Sequence, residues 1–355
     1  MDIPSIICLS HREDVDGILS AALIKAAFKA RRTQTVLTDY ANLLSRLQQI
    51  LNMVSGRVAS SSLSTEKNEG KIDKNYRRTK PKLYICDLGV SKKTQDRFVG
   101  FVKDFISNGV KVTYIDHHEI DDDIRKELKK SGATLIHSVE ECTSVHIYSK
   151  YKHKLDSHAA FLAASAALTD YMESRPRASV LISRWDRQFL MLEATALSYM
   201  ISSNQNNEEF LTRVVDIMSS MKFPHDIEGG FAIAERYAIK VAEAVKTVQG
   251  AIVTKKNVAY TPSISDLAAS VIVNFVLGIS EKPVAMVYRL KADINSYVIS
   301  IRASNASKVH LGRIVNDVAS NFGGSGGGHE RACGAMVPKD KLEEFIDAID
   351  GQVIT

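Results

Sequence analysis

The sequence predicts an α/β protein in two parts: a parallel sheet covered by helices and followed by a helical tail, then a connecting helix and a smaller α/β domain. Three observations carry this. Short apolar runs alternate with helix-periodic stretches from Ser5 to about Ser138, the pattern of parallel strands linked by crossover helices. From Ser144 to Met221 the pattern is helical, with alanine-rich packing around Asp170 and the sole tryptophan, Trp185. The chain's 355 residues also exceed what one hydrophobic core normally holds. The expected division is a first domain over 1–228, a connecting helix over 229–249 and a second domain over 250–355.

Ile6-Ile7-Cys8-Leu9-Ser10 reads as a buried strand. It runs into His11-Arg12-Glu13-Asp14-Val15-Asp16-Gly17, after which Ile18 to Ala30 has helical periodicity. A second apolar run, Leu83-Tyr84-Ile85-Cys86, ends in Asp87 and continues into Leu88-Gly89. A third, Val112-Thr113-Tyr114-Ile115, ends in Asp116-His117-His118. Each strand therefore delivers acids or histidines at its carboxyl end, the edge at which open α/β sheets bind ligands. A fourth acid, Asp170, closes the small-residue helix from Ala159 to Thr169. Segment 55–80 breaks the rhythm: it is polar and aliphatic-poor, with Ser60-Ser61-Ser62 and then Arg77-Arg78-Thr79-Lys80, and is expected to be an inserted flexible loop. Its basic end reads either as a solvated charge run or as a contact for a nucleic-acid backbone.

Phe231 to Val248 reads as the connecting helix. Beyond it, Ala251 to Val253, Val284 to Leu290 and Tyr297 to Ile301 read as strands, and Ser265 to Leu277 as a helix capped by Ser265. The run Gly323-Gly324-Ser325-Gly326-Gly327-Gly328-His329 has the composition of a flexible linker. Its place between a helix, His310 to Phe322, and a strand-like stretch, Ala332 to Val337, argues against one.

Oxygen and imidazole donors without paired thiolates suit Mn²⁺, Mg²⁺ or Zn²⁺ rather than an iron-sulfur cluster, and the ligand count fits two ions better than one. Asp14 and Asp16 read either as a helix cap or as ligands, their spacing projecting both toward one side of an extended loop. A single Asp-His-His is commonly an ordinary turn. Its conjunction with Asp87 and the Asp14/Asp16 pair, each after its own strand, is what points to a site.

Composition bounds the partners. Forty-five per cent hydrophobic and 25% charged residues are ordinary for a globular protein. A net charge of +5 with a pI near 8.8 permits an anionic substrate without demanding nucleic acid. Four isolated cysteines, Cys8, Cys86, Cys142 and Cys333, form no CxxC pair, which predicts a reduced, cytoplasmic setting. The amino terminus lacks the basic start of a secretory signal. The longest apolar run, Ser270 to Ile279, falls short of the roughly 20 residues of a membrane span, so a soluble protein with no membrane partner is expected.

These residues resemble the DHH phosphoesterases, which include RecJ-type nucleases, oligoribonucleases, cyclic dinucleotide phosphodiesterases and manganese pyrophosphatases. The likeness covers nearly the whole chain. Asp116-His117-His118 is similar to the third family motif, Asp87 to the second, His11 with Asp14 and Asp16 to the first, and Asp170 to the fourth. The glycine run with His329, followed by Cys333-Gly334, resembles the GGGH motif of the DHH-associated substrate domain. The pyrophosphatase branch carries a different C-terminal domain, which favours the nucleotide-cleaving branches.

The resemblance implies a metal assignment: His11, Asp14 and Asp87 on one ion, and Asp16, Asp87, His117 and Asp170 on the other, with Asp87 bridging. The ions would be two Mn²⁺, with Mg²⁺ as the substitute. Asp116 would fix a histidine tautomer, and His118 would face the phosphate or leaving oxygen. Gly326, Gly327, Gly328 and His329 would cradle a phosphate. Arg302 would hold one with its planar fork, its plain alternative being a surface salt bridge.

Such residues suit phosphodiester cleavage because an anionic phosphorus repels hydroxide. Two cations about 3.5–4 Å apart can bind a bridging water, lower its pKa and neutralise developing charge. No alternation of basic and aromatic residues marks a long strand-binding channel, and Tyr288 and Tyr297 fit strand packing as well. The expected activity is release of nucleoside 5′-monophosphates from short single-stranded RNA or DNA. The alternatives are hydrolysis of 3′-phosphoadenosine 5′-phosphate, opening of a cyclic dinucleotide, or a catalytically silent scaffold in a replication or repair assembly. A homodimer and a replication or repair protein are the protein partnerships this reading leaves open.

Overall fold

Ile6–His11, the first strand (β1), is buried at all six positions. A strand apolar on both faces demands cover on both, and the fold supplies it. The computed structural model describes residues 4–29, 31–63, 80–91, 93–264, 267–304, 307, 309–328 and 330–353, the side chains of 56–63 excepted. Two compact units divide the chain, 1–235 and 236–355.

In the first unit β1 leads to helix α1 (Val15–Ala27), strand β2 (Thr33–Thr38), helix α2 (Leu43–Leu63), strand β3 (Lys82–Cys86), helix α3 (Gln95–Ser107), strand β4 (Lys111–Asp116), helix α4 (Asp122–Lys130) and strand β5 (Thr134–His137). The five strands pair in parallel in the order β2-β1-β3-β4-β5. Alternate residues point to opposite faces: Ile6, Cys8, Tyr84 and Cys86 join the core beneath α1, whereas Ile7, Leu9, Leu83 and Ile85 join the core beneath α2, α3 and α4. The chain reverses direction across the sheet between β1 and β3, so the crevice at that switch point lies between the ends of these two strands.

The helical tail comprises α5 (Thr143–Tyr151), α6 (Ala159–Thr169), α7 (Pro176–Ile182), α8 (Arg187–Ser203) and α9 (Glu208–Ser219). It packs on the α1 side, where α6 is buried from Ala159 through Ala167. Its alanines let neighbouring helices approach closely, which explains a helix apolar all round. Helix α10 (Gly230–Gln249) contains the boundary between the units.

The second unit holds β6 (Val253–Thr254), β7 (Val258–Pro262), α11 (Ala269–Ser280), β8 (Val284–Lys291), β9 (Ser296–Ala303), α12 (Leu311–Asn321), β10 (Ser325–Gly328), β11 (Ala332–Pro338) and α13 (Leu342–Gln352). Its mixed sheet runs β10-β11-β9-β8-β7-β6, with only β7 and β8 parallel. Leu311, Val315, Val318 and Ala319 give α12 an apolar stripe at helical spacing that joins this core.

The structure corrects the expected local conformation in three places. The loop expected over 55–80 is helical as far as Leu63, where α2 ends, and residues 64–79 lie outside the described ones. The helix expected from Ser265 begins at Ala269, and Ser265 itself is not among the described residues. Within the glycine run, Ser325–Gly328 forms an edge strand rather than a flexible linker: Gly326 pairs with Ala335, Gly327 with Gly334 and Gly328 with Cys333. A Cβ at Gly326 would stand 2.9 Å from Val315 Cγ1 and 3.0 Å from the Val315 carbonyl oxygen. Close approach of this strand to α12 therefore requires glycine there, whatever else the strand does.

Candidate metal centre

Every strand of the first sheet brings a functional group to its carboxyl edge. His11 ends β1, Tyr40 lies just beyond β2, Asp87 follows β3, Asp116 to His118 close β4, and His137 ends β5. The group after β3 is fixed by backbone conformation. Asp87 has φ 56°, a left-handed turn that aspartate tolerates better than most residues, and its N–H donates to the Ile115 carbonyl at 3.0 Å.

Asp14 and Asp16 do not share an extended loop. Asp14 is the N-cap of α1, its Oδ1 accepting from Gly17 N at 2.9 Å, while its Oδ2 lies 3.5 Å from His11 Nε2. The cap and the approach to His11 use different oxygens of one carboxylate. Asp16 lies in the first turn of α1 and is 1% exposed. Both its oxygens are held by the amino end of α5, Oδ1 accepting from Ser144 N and Oδ2 from Thr143 N, each at 2.8 Å. Thr143 Oγ1 donates to Asp87 Oδ1 at 3.1 Å. The positive end of α5 thus holds two buried acids side by side.

His117 Nε2 lies 3.4 Å from Asp87 Oδ1 and 3.5 Å from Asp170 Oδ2. Ligand-capable atoms of Asp16, His117 and Asp170 all fall within 4.8 Å of one another, and so do those of Asp87, His117 and His118. Among the described residues, His11 and Asp14 join no such group of three and form a pair beside it. His118, expected to face substrate, thus stands near enough to Asp87 and His117 for ligation as well. Its Nδ1–H donates to Asp116 Oδ1 at 2.9 Å, and the other oxygen of Asp116 accepts from Tyr114 Oη at 2.9 Å and from His118 N at 3.2 Å. Asp116 is fully buried, and its carboxylate holds both a histidine and the turn that carries it.

Two residues of this cluster escaped the sequence reading. Tyr40, 44% exposed, places its hydroxyl 3.0 Å from His118 Nε2 and its ring centroid 4.6 Å from that of His11. His137 Nε2–H donates to the His118 carbonyl at 2.6 Å. Both stand at strand tips, so the rule that selected His11, Asp87 and Asp116 covers them once β2 and β5 are placed.

The electrostatics suit cations. Burial pushes the pKa of Asp87 well up, and Asp16 and Asp14 push it further. Burial raises Asp170 to about 7; His117 opposes the shift, while Asp16 and Asp14 add to it. Burial alone would lower His118, but Asp116 outweighs it and lifts the imidazole to about 9. Two buried atoms, His11 Nδ1 and Asp170 Oδ2, have no hydrogen-bond partner among the described residues. Carboxylates that resist ionising together, imidazoles between them and an orphaned oxygen form a donor set that a divalent cation could complete. Burial, the largest cause, raises the thiol pKa of both Cys86 and Cys142 beside the site, so neither offers a thiolate at neutral pH.

A pH dependence follows. Asp170 and Asp87 have folded-state pKa values above those of an unfolded chain, so between pH about 4 and 7 the folded protein binds more protons and loses stability as pH rises. Raised His118 acts in the same direction in a later window, its contribution lost as pH climbs through about 9. Metal-free protein should therefore melt several degrees lower at pH 7.5 than at pH 5.5, and Asp170→Asn should flatten the trend. Millimolar Mn²⁺ should raise the melting temperature more at pH 7.5 than at pH 5.5, because cation and proton compete. Equal Mn²⁺ shifts at the two pH values would contradict a carboxylate-rich ion site.

In the second unit, Arg302 lies on β9 opposite Ala332, and its Nη1 donates to the Ile301 carbonyl at 3.1 Å. Neighbouring Cys333 is pushed up to about 12 by burial, with Arg302 pulling it down. Gly326, Gly327 and Gly328 form β10, whose outer edge pairs with no strand among the described residues. His329 lies outside the described residues.

Residues 254–355 match the DHHA1 domain family. The second unit thus matches a DHHA1 domain. Over 178 residues it is 29% identical to an uncharacterized protein of Methanocaldococcus jannaschii, a match covering 48% of this chain and 38% of that protein. The chain thus spans well under half the length of that relative. Among solved structures it is similar to the DHH domain of a member of a ribosomal-protein family, with TM-score 0.68 and 14% identity, over 98% of this chain and 86% of that one. RecJ from Thermus thermophilus in complex with Mn²⁺ gives TM-score 0.59 at 13% identity, over 98% of this chain and 51% of that one. The pGpG-specific phosphodiesterase of Vibrio cholerae gives 0.55 at 12%, over 98% of each chain. At these identities the likeness is one of fold. No helix among the described residues is long and apolar enough to cross a membrane.

Proposed function

We propose that this DHH-fold protein is a metal-dependent phosphodiesterase that shortens single-stranded oligonucleotides, RNA or DNA, to nucleoside 5′-monophosphates. The observation that carries the reading is the convergence of Asp16, Asp87, His117 and Asp170 at one sheet edge, with His118 clasped by Asp116 beside them. His11, Asp14 and Asp87 would hold one Mn²⁺ or Mg²⁺ ion, and Asp16, Asp87, His117 and Asp170 the other. When bound, the ions supply a water of lowered pKa and positive charge for the phosphoryl oxygens.

The chain's own residues do the rest. The amino end of α5 fixes Asp16 and, through Thr143, Asp87, so neither carboxylate swings out as charge builds. Asp116 orients His118 and keeps it protonated, which leaves Nε2–H as the proton source for the leaving oxygen. Tyr40 accepts that N–H while substrate is away. Arg302, Gly326, Gly327, Gly328 and His329 would grip a substrate phosphate from the DHHA1 domain. The Mn²⁺-bound RecJ and the pGpG-specific phosphodiesterase support the choice of metal and of short nucleotidic substrates.

Purified protein loaded with Mn²⁺ should convert pGpG and pentanucleotides to 5′-monophosphates faster than it consumes 3′-phosphoadenosine 5′-phosphate or a cyclic dinucleotide, as read by chromatography of the products. Rapid turnover of either alternative with none of the linear oligonucleotides would replace this reading. Absence of all turnover by folded, metal-loaded protein would leave only the scaffold.

A further inference from the structure

A groove of 450 Å³ runs between α2 and α3, lined by Ala41, Leu44, Ser45, Gln48, Arg97 and Phe101. Its position is set by topology. Helices α2 and α3 both begin at the carboxyl edge of the sheet, and the groove is lined by the opening turns of each. Ala41 follows directly on Tyr40, whose hydroxyl is 3.0 Å from His118 Nε2, so the groove starts one residue away from the candidate metal centre.

Its chemistry is that of a nucleotide seat. Phe101 and Leu44, both half-buried against the core beneath α2 and α3, supply an apolar floor. Ser45, Gln48 and exposed Arg97 supply the polar rim. Arg97 has no hydrogen-bond or ion-pair partner among the described residues, whereas Arg46 of α2 pairs with Glu208. An exposed guanidinium with no partner among the described residues can take a phosphate, and a half-exposed ring can stack a base of any sequence. The volume lies within the roughly 300–1,000 Å³ of small-molecule sites and accommodates one nucleoside.

Resting on the function proposed above, we infer that this groove seats the nucleoside flanking the scissile phosphate of a single strand, with its base against Phe101 and its outer phosphate on Arg97. The aromatic platform missing from the sequence pattern is thereby supplied by Phe101 of α3, with α2 as the facing wall.

Binding and turnover test this separately. Fluorescence anisotropy of a labelled trinucleotide on full-length, metal-free protein should show about tenfold weaker affinity for Arg97→Ala and for Phe101→Leu. Phe101→Leu retains apolar contact with α2, and Arg97 is on the surface, so both variants should melt within a few degrees of wild type. With Mn²⁺, the ratio of kcat/KM on the trinucleotide to kcat/KM on bis(p-nitrophenyl) phosphate should fall about tenfold in each. Unchanged affinity in both variants overturns the groove assignment even if the wild type proves a nuclease. Weakened affinity in variants of a protein that cuts no oligonucleotide upholds the groove and sinks the nuclease.

Discussion

Asp87→Asn should lower kcat/KM for the proposed phosphodiester cleavage by about 10³-fold or more, because its carboxylate is the one both proposed ions would need. Several kcal/mol of transition-state charge stabilisation depend on holding them, and each 1.36 kcal/mol is tenfold in rate. Asparagine is the informative replacement: it keeps the shape, tolerates φ 56° and can still accept from Thr143 Oγ1 at Oδ1. Metal-free Asp87→Asn should be at least as stable as metal-free wild type, since it removes a carboxylate that burial and its acidic neighbours already disfavour. Metal analysis should find less than the full complement of ions, while a thermal melt finds the fold intact. A variant that keeps its ions and half its activity would remove Asp87 from the site.

Gly17→Ala should be among the most damaging single methyls at the described residues of the first unit. A Cβ at that position would sit 2.4 Å from the His11 carbonyl oxygen and 2.6 Å from His11 Cβ. Neither contact is with the free end of a flexible side chain, so either the tip of β1 or the first turn of α1 must move. Overpacking of this kind costs about 1–3 kcal/mol and occasionally more. Here the first turn is also tied through the Gly17 carbonyl, which accepts from Ser10 Oγ at 2.7 Å, so the upper end is expected. The movement carries Asp14, Asp16 and His11 with it. Urea unfolding should therefore show a loss of about 3 kcal/mol, with Mn²⁺ no longer raising the melting temperature. A loss below about 0.5 kcal/mol would mean that β1 and α1 are not in the contact described.

The sheet edge was legible because strand tips announce themselves in sequence: an apolar run of four or five residues stops at a charged one, as at Cys86 before Asp87 and Ile115 before Asp116. The same signal fails at Tyr40 and His137. Their strands, Thr33–Thr38 and Thr134–His137, sit at the two edges of the sheet, where partly exposed residues blur the alternation. Asp14 and Asp16 were recognised as a pair but placed on extended backbone, because spacing alone cannot separate an N-cap plus first helical turn from a loop. Thr143 and Ser144 carry no signal in sequence: they hold Asp16 through backbone amides, which every residue but proline owns, and the Thr143 hydroxyl adds its bond to Asp87 only once the fold brings them together. The glycines of 326–328 drew attention as an anion cradle, yet the packing of Gly326 against Val315 gives a reason for glycine that needs no ligand. The serine-rich stretch after Ser55 looked unstructured by composition, and α2 nonetheless continues through it to Leu63.

The clamp of α5 on Asp16 has an effect on how ions arrive. Amides of Thr143 and Ser144 each bond one oxygen of that carboxylate, while a ligand-capable atom of Asp16 stays within 4.8 Å of those of His117 and Asp170. The cavity is cast before anything fills it. A cation would therefore enter a mould whose walls are already set, so that its binding would order little of the chain.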